Sequence, residues 1–85
     1  MRDILFTSIA FEQYNEWQSE NKQIFNKLKK LIKETCKTPF EGTGKPEALR
    51  HEYTGYWSRR ITDEHRLVYK ADDHCIKIIA CKFHY

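Results

Sequence analysis

Apolar side chains recur at helical spacing in the first half of the chain. Ala10, Tyr14 and Trp17 lie three or four residues apart, which predicts a helix over residues 9–20. A second and longer helix is predicted over residues 21–36, where one stripe consists of Ile24, Leu28, Leu31, Ile32 and Thr35. Lysines occupy the other faces of this second helix, as is typical of a solvated surface.

A short apolar run precedes the helices. Residues 2–7 contain Ile4, Leu5 and Phe6 in sequence and predict a first strand. Thr7 or Ser8 follows it and is suited to cap the first helix, because a hydroxyl can accept a free backbone N–H of the first turn.

The second half of the chain has the pattern of a β-sheet. Residues 39–47 contain two glycines and two prolines, which predicts a loop of defined conformation rather than a helix or a strand. The polar corner at 63–65 predicts a hairpin, and Asp72 and Asp73 predict a second turn. The predicted strands cover residues 48–54, 56–62, 66–71 and 74–83.

The order of these elements is β-α-α-β-β-β-β. Helices grouped before a run of strands argue for the α+β class, with a mostly antiparallel sheet and both helices on one face. That arrangement leaves the other face of the sheet free for a site. With 85 residues the chain is expected to form one domain, residues 1–85. This length is near the lower limit at which a hydrophobic core is stable without disulfides or metal ions.

Composition indicates the cellular compartment in which the protein is expected. No apolar stretch approaches the ~20 residues that cross a bilayer, and the first residues are too soon polar for a signal peptide. The three cysteines, Cys36, Cys75 and Cys81, are an odd number without tight spacing. We therefore expect reduced thiols in the cytoplasm and no membrane association, with Cys75 and Cys81 as core residues.

The net charge and the spacing of possible metal-binding residues give less information about the reaction that the protein performs. The net charge of +3 permits an RNA or acidic-protein partner without requiring one. No CxxC or HxxxH spacing occurs, so neither a metal site nor another cofactor is expected.

The second half concentrates side chains that suit a phosphodiester. They are Glu47, Arg50, Arg59, Arg60, Arg66, His84 and Tyr85. Cleavage of RNA by its own 2′-hydroxyl needs a base, an acid for the leaving 5′-oxygen, and cations beside the phosphate. A carboxylate, a histidine and guanidinium groups meet these needs without a metal ion.

Each of these residues also has an ordinary structural interpretation. Glu47 is equally typical of an exposed loop acid, and Arg66 of a strand-end partner for Asp63. Arg59 and Arg60 are neighbours on a strand, so only one of them shares a face with Arg66. An even-numbered hairpin loop would select Arg59 and a three-residue loop would select Arg60, and the sequence leaves this register open.

Three stretches together resemble the YoeB toxin family, also called Txe/YoeB. They are residues 38–49, TPFEGTGKPEAL, residues 55–69, GYWSRRITDEHRLVY, and residues 80–85, ACKFHY. The resemblance covers essentially the whole chain, including Trp17 and Gln18. It implies a RelE-like fold and a bacterial type II toxin that enters the ribosomal A site and cuts mRNA there.

The resemblance also implies roles for individual residues. Glu47 matches the general base, His84 the general acid and Arg66 the arginine that stabilises the phosphate. Supporting roles fall to Arg50, Arg60 and Tyr85, although Arg50 stands where the family often has lysine. If Arg60 supports the phosphate, an odd-length loop or a bulge must separate it from Arg66.

The implied partners are a YefM-like antitoxin and the ribosome with its A-site mRNA. A homodimer and a toxin–antitoxin heterotrimer are both compatible with the resemblance. Two other functions stay open. One is a non-catalytic toxin of the same fold, like the ParE-like inhibitors of DNA gyrase, and the other is a nuclease that cuts free RNA.

Overall fold

Two α-helices and five strands follow one another along residues 1–83, the part of the chain that the computed structural model describes. Their bounds are β1 Asp3–Phe6, α1 Ser8–Glu20, α2 Lys22–Lys37, β2 Glu47–Ala48, β3 Trp57–Arg60, β4 Arg66–Ala71 and β5 Cys75–Ala80. The predicted class and element order, α+β with β-α-α-β-β-β-β, are confirmed. No helix in this part of the chain is long and apolar enough to cross a membrane.

The strands form one sheet in the order β1-β5-β4-β3-β2. β1 runs parallel to β5, and the other three pairs are antiparallel. Side chains of both helices pack against the sheet in one apolar cluster that includes Trp17, Leu28, Leu67, Tyr69 and Ile78. The helices therefore cover one face of the sheet, and alternate residues of β3 and β4 point to the other.

Polar caps set where the helices begin and end. Thr7 accepts the backbone N–H of Ala10 through its hydroxyl oxygen, which confirms it as the cap of α1. Asn21 is the single residue between the helices, and its side-chain oxygen accepts the N–H of Ile24 at the start of α2. One residue thus ends α1 and starts α2.

Two strands end at least three residues before the position that the sequence pattern indicated. The strand expected over residues 48–54 is wrong, because β2 ends at Ala48 and a 3₁₀ turn, His51–Tyr53, follows. Local bonds replace a ladder there: the N–H and the hydroxyl of Thr54 both donate to the carbonyl of His51. The strand expected to reach residue 83 ends at Ala80, because the N–H of Cys81 donates to the side chain of Gln13 in α1.

The cysteines differ in their surroundings. Cys36 and Cys81 are fully buried, and burial raises the pKa of both thiols, that of Cys81 to about 12. The prediction of a core residue is therefore correct for Cys81. Cys75 is only half-buried, because the core face of β5 carries Ile76 and Ile78.

A buried arginine holds the loop between α2 and β2. Arg59 is fully buried in β3. Its guanidinium donates to the carboxylate of Glu34 in α2 at 2.5 Å and to the carbonyls of three loop residues, Thr38, Glu41 and Thr43. One side chain therefore fixes an irregular loop to both the helix layer and the sheet.

Neighbouring groups complete this anchor. The Tyr69 hydroxyl accepts from the Nε of Arg59 at 3.1 Å and donates to the carbonyl of Pro39 at 2.5 Å. Glu34 also accepts from the N–H and the hydroxyl of Thr43. Burial alone would raise the pKa of Glu34, but the bonds from Thr43 and Arg59 outweigh it and lower that pKa below the ordinary value of 4.5.

Replacing Arg59 with methionine should destabilise the fold strongly. The change leaves the three loop carbonyls without their donor and Glu34 without its cation. Breaking a buried pair costs roughly 3–5 kcal/mol, and we expect about 3 because Glu34 stays partly solvated. Urea unfolding measures the loss, with Arg60→Met on the exposed face of the same strand as the control. Equal destabilisation by both changes would contradict the anchor.

The Glu34 carboxylate should make stability sensitive to acid. Its folded-state pKa lies below the unfolded value, so its contribution is complete above pH 4.5 and is lost as the pH falls through the folded value. Glu34→Gln should therefore be less stable than the wild type at pH 7 and lose less stability between pH 5 and pH 3. Parallel curves of unfolding free energy against pH would contradict this.

Candidate functional site

A small pocket opens on the face of the sheet opposite the helices. Its volume is about 60 Å³, and its lining consists of Lys45, Glu47, Ser58, Arg60 and Arg66. Strand pairing explains the grouping, because Glu47 lies opposite Ser58 and Arg60 lies opposite Arg66. The structure therefore brings together the sequence-predicted residues Glu47, Arg60 and Arg66.

The hairpin register settles the choice between the two neighbouring arginines. Five residues, 61–65, separate Arg60 from Arg66, an odd number that puts both on one face. The turn closes with the N–H groups of Ile61 and Thr62 both donating to the carbonyl of His65. Arg60 thus faces the pocket, and Arg59 faces the core.

The glycine-rich loop is pressed against the end of β3. The carbonyl of Gly44 accepts the N–H of Arg60 at 2.7 Å, and Gly44 has a φ of +86°. A side chain at this position would put its Cβ 2.9 Å from the carbonyl oxygen of Arg60. Glycine is therefore required here both by its backbone conformation and by the close approach.

Lys45 is a pocket residue that sequence reasoning missed. It follows Gly44 directly and also has a left-handed backbone, with a φ of +52°. The left-handed backbone of Lys45 breaks the alternation of an extended chain, so its spacing from Glu47 could not have placed both residues on one side.

The arginine side chains of the pocket are held differently. Nη1 of Arg66 donates to the carbonyls of Thr62 at 2.6 Å, Asp63 at 3.0 Å and His65 at 3.1 Å. Within residues 1–83, the hydrogen bonds of this guanidinium all run through Nη1, so the turn backbone orients it rather than the carboxylate of Asp63. Arg60 is exposed and lies 3.9 Å from that carboxylate, a separation at which an ion pair contributes little.

Three cations and one carboxylate thus share this pocket. The cations are Lys45, Arg60 and Arg66, and the carboxylate is Glu47. Such a group carries net positive charge and therefore favours an anionic ligand. Two guanidinium forks can each present paired donors to phosphate oxygens.

Three other predicted site residues lie elsewhere. Arg50 is exposed outside the pocket, at the start of the 3₁₀ turn, and lines an adjoining open depression together with Glu47. His84 and Tyr85 lie outside the described residues. No three acidic, histidine or cysteine side chains among residues 1–83 are arranged to hold a metal ion.

A β-bulge redirects the chain toward this pocket. Ile78 pairs with Tyr69 and Ala80 with Val68, so Ile79 is an extra residue in β5. The extra residue reverses the alternation of faces, and Ala80 shares the face of Val68 and Arg66. Side chains of α1 then hold the next two residues: Gln13 and Trp17 bond the backbone of Cys81, and Glu16 and Glu20 bond the Lys82 ammonium.

The described chain ends beside Arg66. The backbone N–H of Arg66 donates to the carbonyl of Phe83 at 2.9 Å, and the N–H of Phe83 donates to Nδ1 of His65 at 2.8 Å. Phe83 has a φ of +62°, which costs on the order of 1–3 kcal/mol for a residue other than glycine. His65, interpreted from sequence as a turn residue, is therefore an anchor for this segment.

Comparison with known proteins agrees with these motifs. The family model described as YoeB-like toxin of bacterial type II toxin-antitoxin system matches residues 6–85. Toxin YoeB of Escherichia coli K12 is 49% identical over 82 residues, which cover 96% of this chain and 98% of that protein.

Solved structures agree with the fold. The YoeB dimer from Staphylococcus aureus has a TM-score of 0.91 and 47% identity, covering 99% of this chain and 98% of that one. A YoeB–YefM complex from the same organism gives a TM-score of 0.90 and 48% identity, covering 100% and 99%. This chain belongs to the YoeB family of toxins of bacterial type II toxin–antitoxin systems.

Proposed function

We propose that this toxin is an endoribonuclease that cuts mRNA in the ribosomal A site without a metal ion or other cofactor. The observation that carries the proposal is the pocket that Glu47 shares with Lys45, Arg60 and Arg66. A carboxylate beside several cations suits the removal of a proton next to a phosphodiester. Because the target is the ribosome, the proposed site of action is the cytoplasm.

In the proposed reaction, Glu47 takes the proton of a ribose 2′-hydroxyl. The 2′-oxygen attacks the adjacent phosphorus, and the bond from phosphorus to the 5′-oxygen breaks. His84 gives a proton to that leaving oxygen, so the products are a 2′,3′-cyclic phosphate and a 5′-hydroxyl. His84 directly follows Phe83, whose carbonyl bonds the backbone of Arg66, and this adjacency supports its role as the acid.

Cations would stabilise the charge that develops on the phosphate. Arg66 takes the main part in the proposal because the turn carbonyls orient its guanidinium before substrate arrives. Arg60 and Lys45 line the same pocket and support it. Arg50, in the adjoining depression, would contact RNA beyond the scissile phosphate, and Tyr85 would orient the substrate.

In this proposal, the ribosome supplies the RNA binding and the positioning of the substrate that this small protein lacks. The net charge of +3 and a pocket of about 60 Å³ offer little surface for the capture of free RNA. Prior positioning of reactants can contribute up to roughly 7–11 kcal/mol to catalysis. We therefore expect weak or no cleavage of free RNA.

We also propose a YefM-like antitoxin as the partner, because a YoeB–YefM complex is known for the Staphylococcus aureus relative. A homodimer, known for the relative from that organism, and a toxin–antitoxin heterotrimer are the proposed assemblies. We place the antitoxin in a groove of about 490 Å³ between β1 and α2. Its floor includes Ile4, Phe6 and Ile32, and its lysines are Lys29, Lys30 and Lys33, so an acidic amphipathic segment matches it.

Removing the proposed acid–base and phosphate groups should abolish cleavage without unfolding the protein. Glu47→Gln and His84→Gln should each lower kcat by roughly 10²–10⁴, and Arg66→Met by roughly 10²–10³. The assay uses mRNA held in a programmed ribosome with EDTA present, and Glu52→Gln, an exposed acid outside the pocket, is the control.

A matched substrate tests the chemistry itself. A 2′-deoxy sugar before the cut should block cleavage, because the nucleophile is missing. Normal cleavage by all three variants, or cleavage of the deoxy substrate, would contradict the mechanism. If the folded wild type cuts neither substrate, inhibition of DNA gyrase is the next assay.

Charge reversal in the groove should weaken antitoxin binding but not catalysis. We expect Lys29→Glu combined with Lys33→Glu to raise the Kd for a YefM-type antitoxin about tenfold or more at low salt, because like charges then meet. Lys77→Glu makes one such charge change on β5, away from the groove, and serves as the control. Unchanged affinity of the double variant, measured by calorimetry, would place the antitoxin elsewhere.

A further inference from the structure

His65 lies where the β3–β4 turn, α1 and the end of the described chain meet. Its side chain is buried, and its ring contacts two aromatic rings. The Trp17 ring lies edge-to-face at 4.7 Å between centroids, and the Phe83 ring lies at 5.5 Å. Neither the pocket nor the proposed proton transfers use this imidazole directly.

The hydrogen bond that His65 accepts determines the tautomer of its imidazole ring. Nδ1 accepts the N–H of Phe83 at 2.8 Å, so Nδ1 carries no proton in this arrangement. The neutral ring therefore holds its proton on Nε2, which faces Glu64 with 3.7 Å between Nε2 and the carboxylate oxygen. A ring that only filled space in the core would need no such acceptor.

Phe83 depends on this acceptor. Its left-handed backbone is unfavourable for a bulky residue, and two hydrogen bonds hold it on either side. One comes from its N–H to His65, and the other is accepted by its carbonyl from the N–H of Arg66. These bonds fix the backbone of Phe83, the residue that directly precedes His84 in the sequence.

We propose that His65 is a positioning residue for the general acid. The hydrogen bond that its Nδ1 accepts locks Phe83 in the left-handed conformation, and this places His84 for proton donation to the leaving oxygen. The inference rests on the proposed function, in which His84 is the acid. It adds a residue that acts through the backbone and touches no substrate.

Two substitutions separate the hydrogen bond from the ring. His65→Phe keeps an aromatic ring between Trp17 and Phe83 but has no acceptor. His65→Asn loses the ring but keeps an oxygen in the place of Nδ1. We expect His65→Phe to lower kcat on ribosome-bound mRNA about 10–100-fold with KM within about threefold, since a small misplacement of a reacting group costs up to about 10² in rate. His65→Asn should recover most of that loss.

Hydrogen exchange at the Phe83 amide provides a readout that does not depend on activity. The amide should be protected in the wild type and in His65→Asn, and should exchange faster in His65→Phe. If His65→Phe does not fold, His65→Gln replaces it, because its amide reaches past the Nδ1 position. Urea unfolding of each variant establishes that it is folded.

The outcomes separate this inference from the proposed function. Wild-type kcat in folded His65→Phe, or no recovery in His65→Asn, would overturn the positioning role. A wild type that fails to cut ribosome-bound mRNA would instead overturn the proposed function. The exchange data would then still decide whether His65 holds Phe83, because unchanged protection in His65→Phe would show that it does not.

Discussion

The guanidinium of Arg59 is the contact on which the rest of the site depends. The loop between α2 and β2 has no regular structure, so its backbone carbonyls need donors from elsewhere. Arg59 supplies them from inside the fold and is itself neutralised by Glu34 in α2. With the loop fixed in this way, Gly44 lies against Arg60, and Glu47 pairs opposite Ser58.

Residues 81–83, the last that the structure describes, are held by the same kind of contact. β5 ends at Ala80, and polar groups of α1 and the β3–β4 turn bind the backbone that follows. The ammonium of Lys82 also binds α1. Its hydrogen bond to Glu20 raises the pKa of Lys82, partial desolvation lowers it, and the hydrogen bond to Glu16 raises it again, so the net shift is upward. The irregular loop that leads to Glu47 and residues 81–83, which precede His84 in the sequence, therefore both depend on side chains from regular elements.

The sequence predicted the features that local pattern determines. The apolar stripe located α2 within one residue at each end, and β4 has the predicted bounds. The burial of Arg59 and the role of His65 could not be predicted, because their partners are distant in sequence. Arg59 binds residues 10 to 25 positions away, and His65 binds one 18 positions away. The hairpin register was also open, since the side-chain pattern fits either loop length.

In each of two adjacent pairs of residues, one member anchors an irregular segment and the other lines the pocket. In β3, Arg59 points inward and anchors the loop of Glu47, while Arg60 points outward into the pocket. At the start of β4, His65 is buried against Phe83, while Arg66 faces the pocket. Because neighbouring residues of a strand face opposite sides, each pair joins an anchor to a pocket residue through one peptide bond. A one-residue slip of the hairpin would exchange these positions, so the register that packs the core is also the register that assembles the pocket.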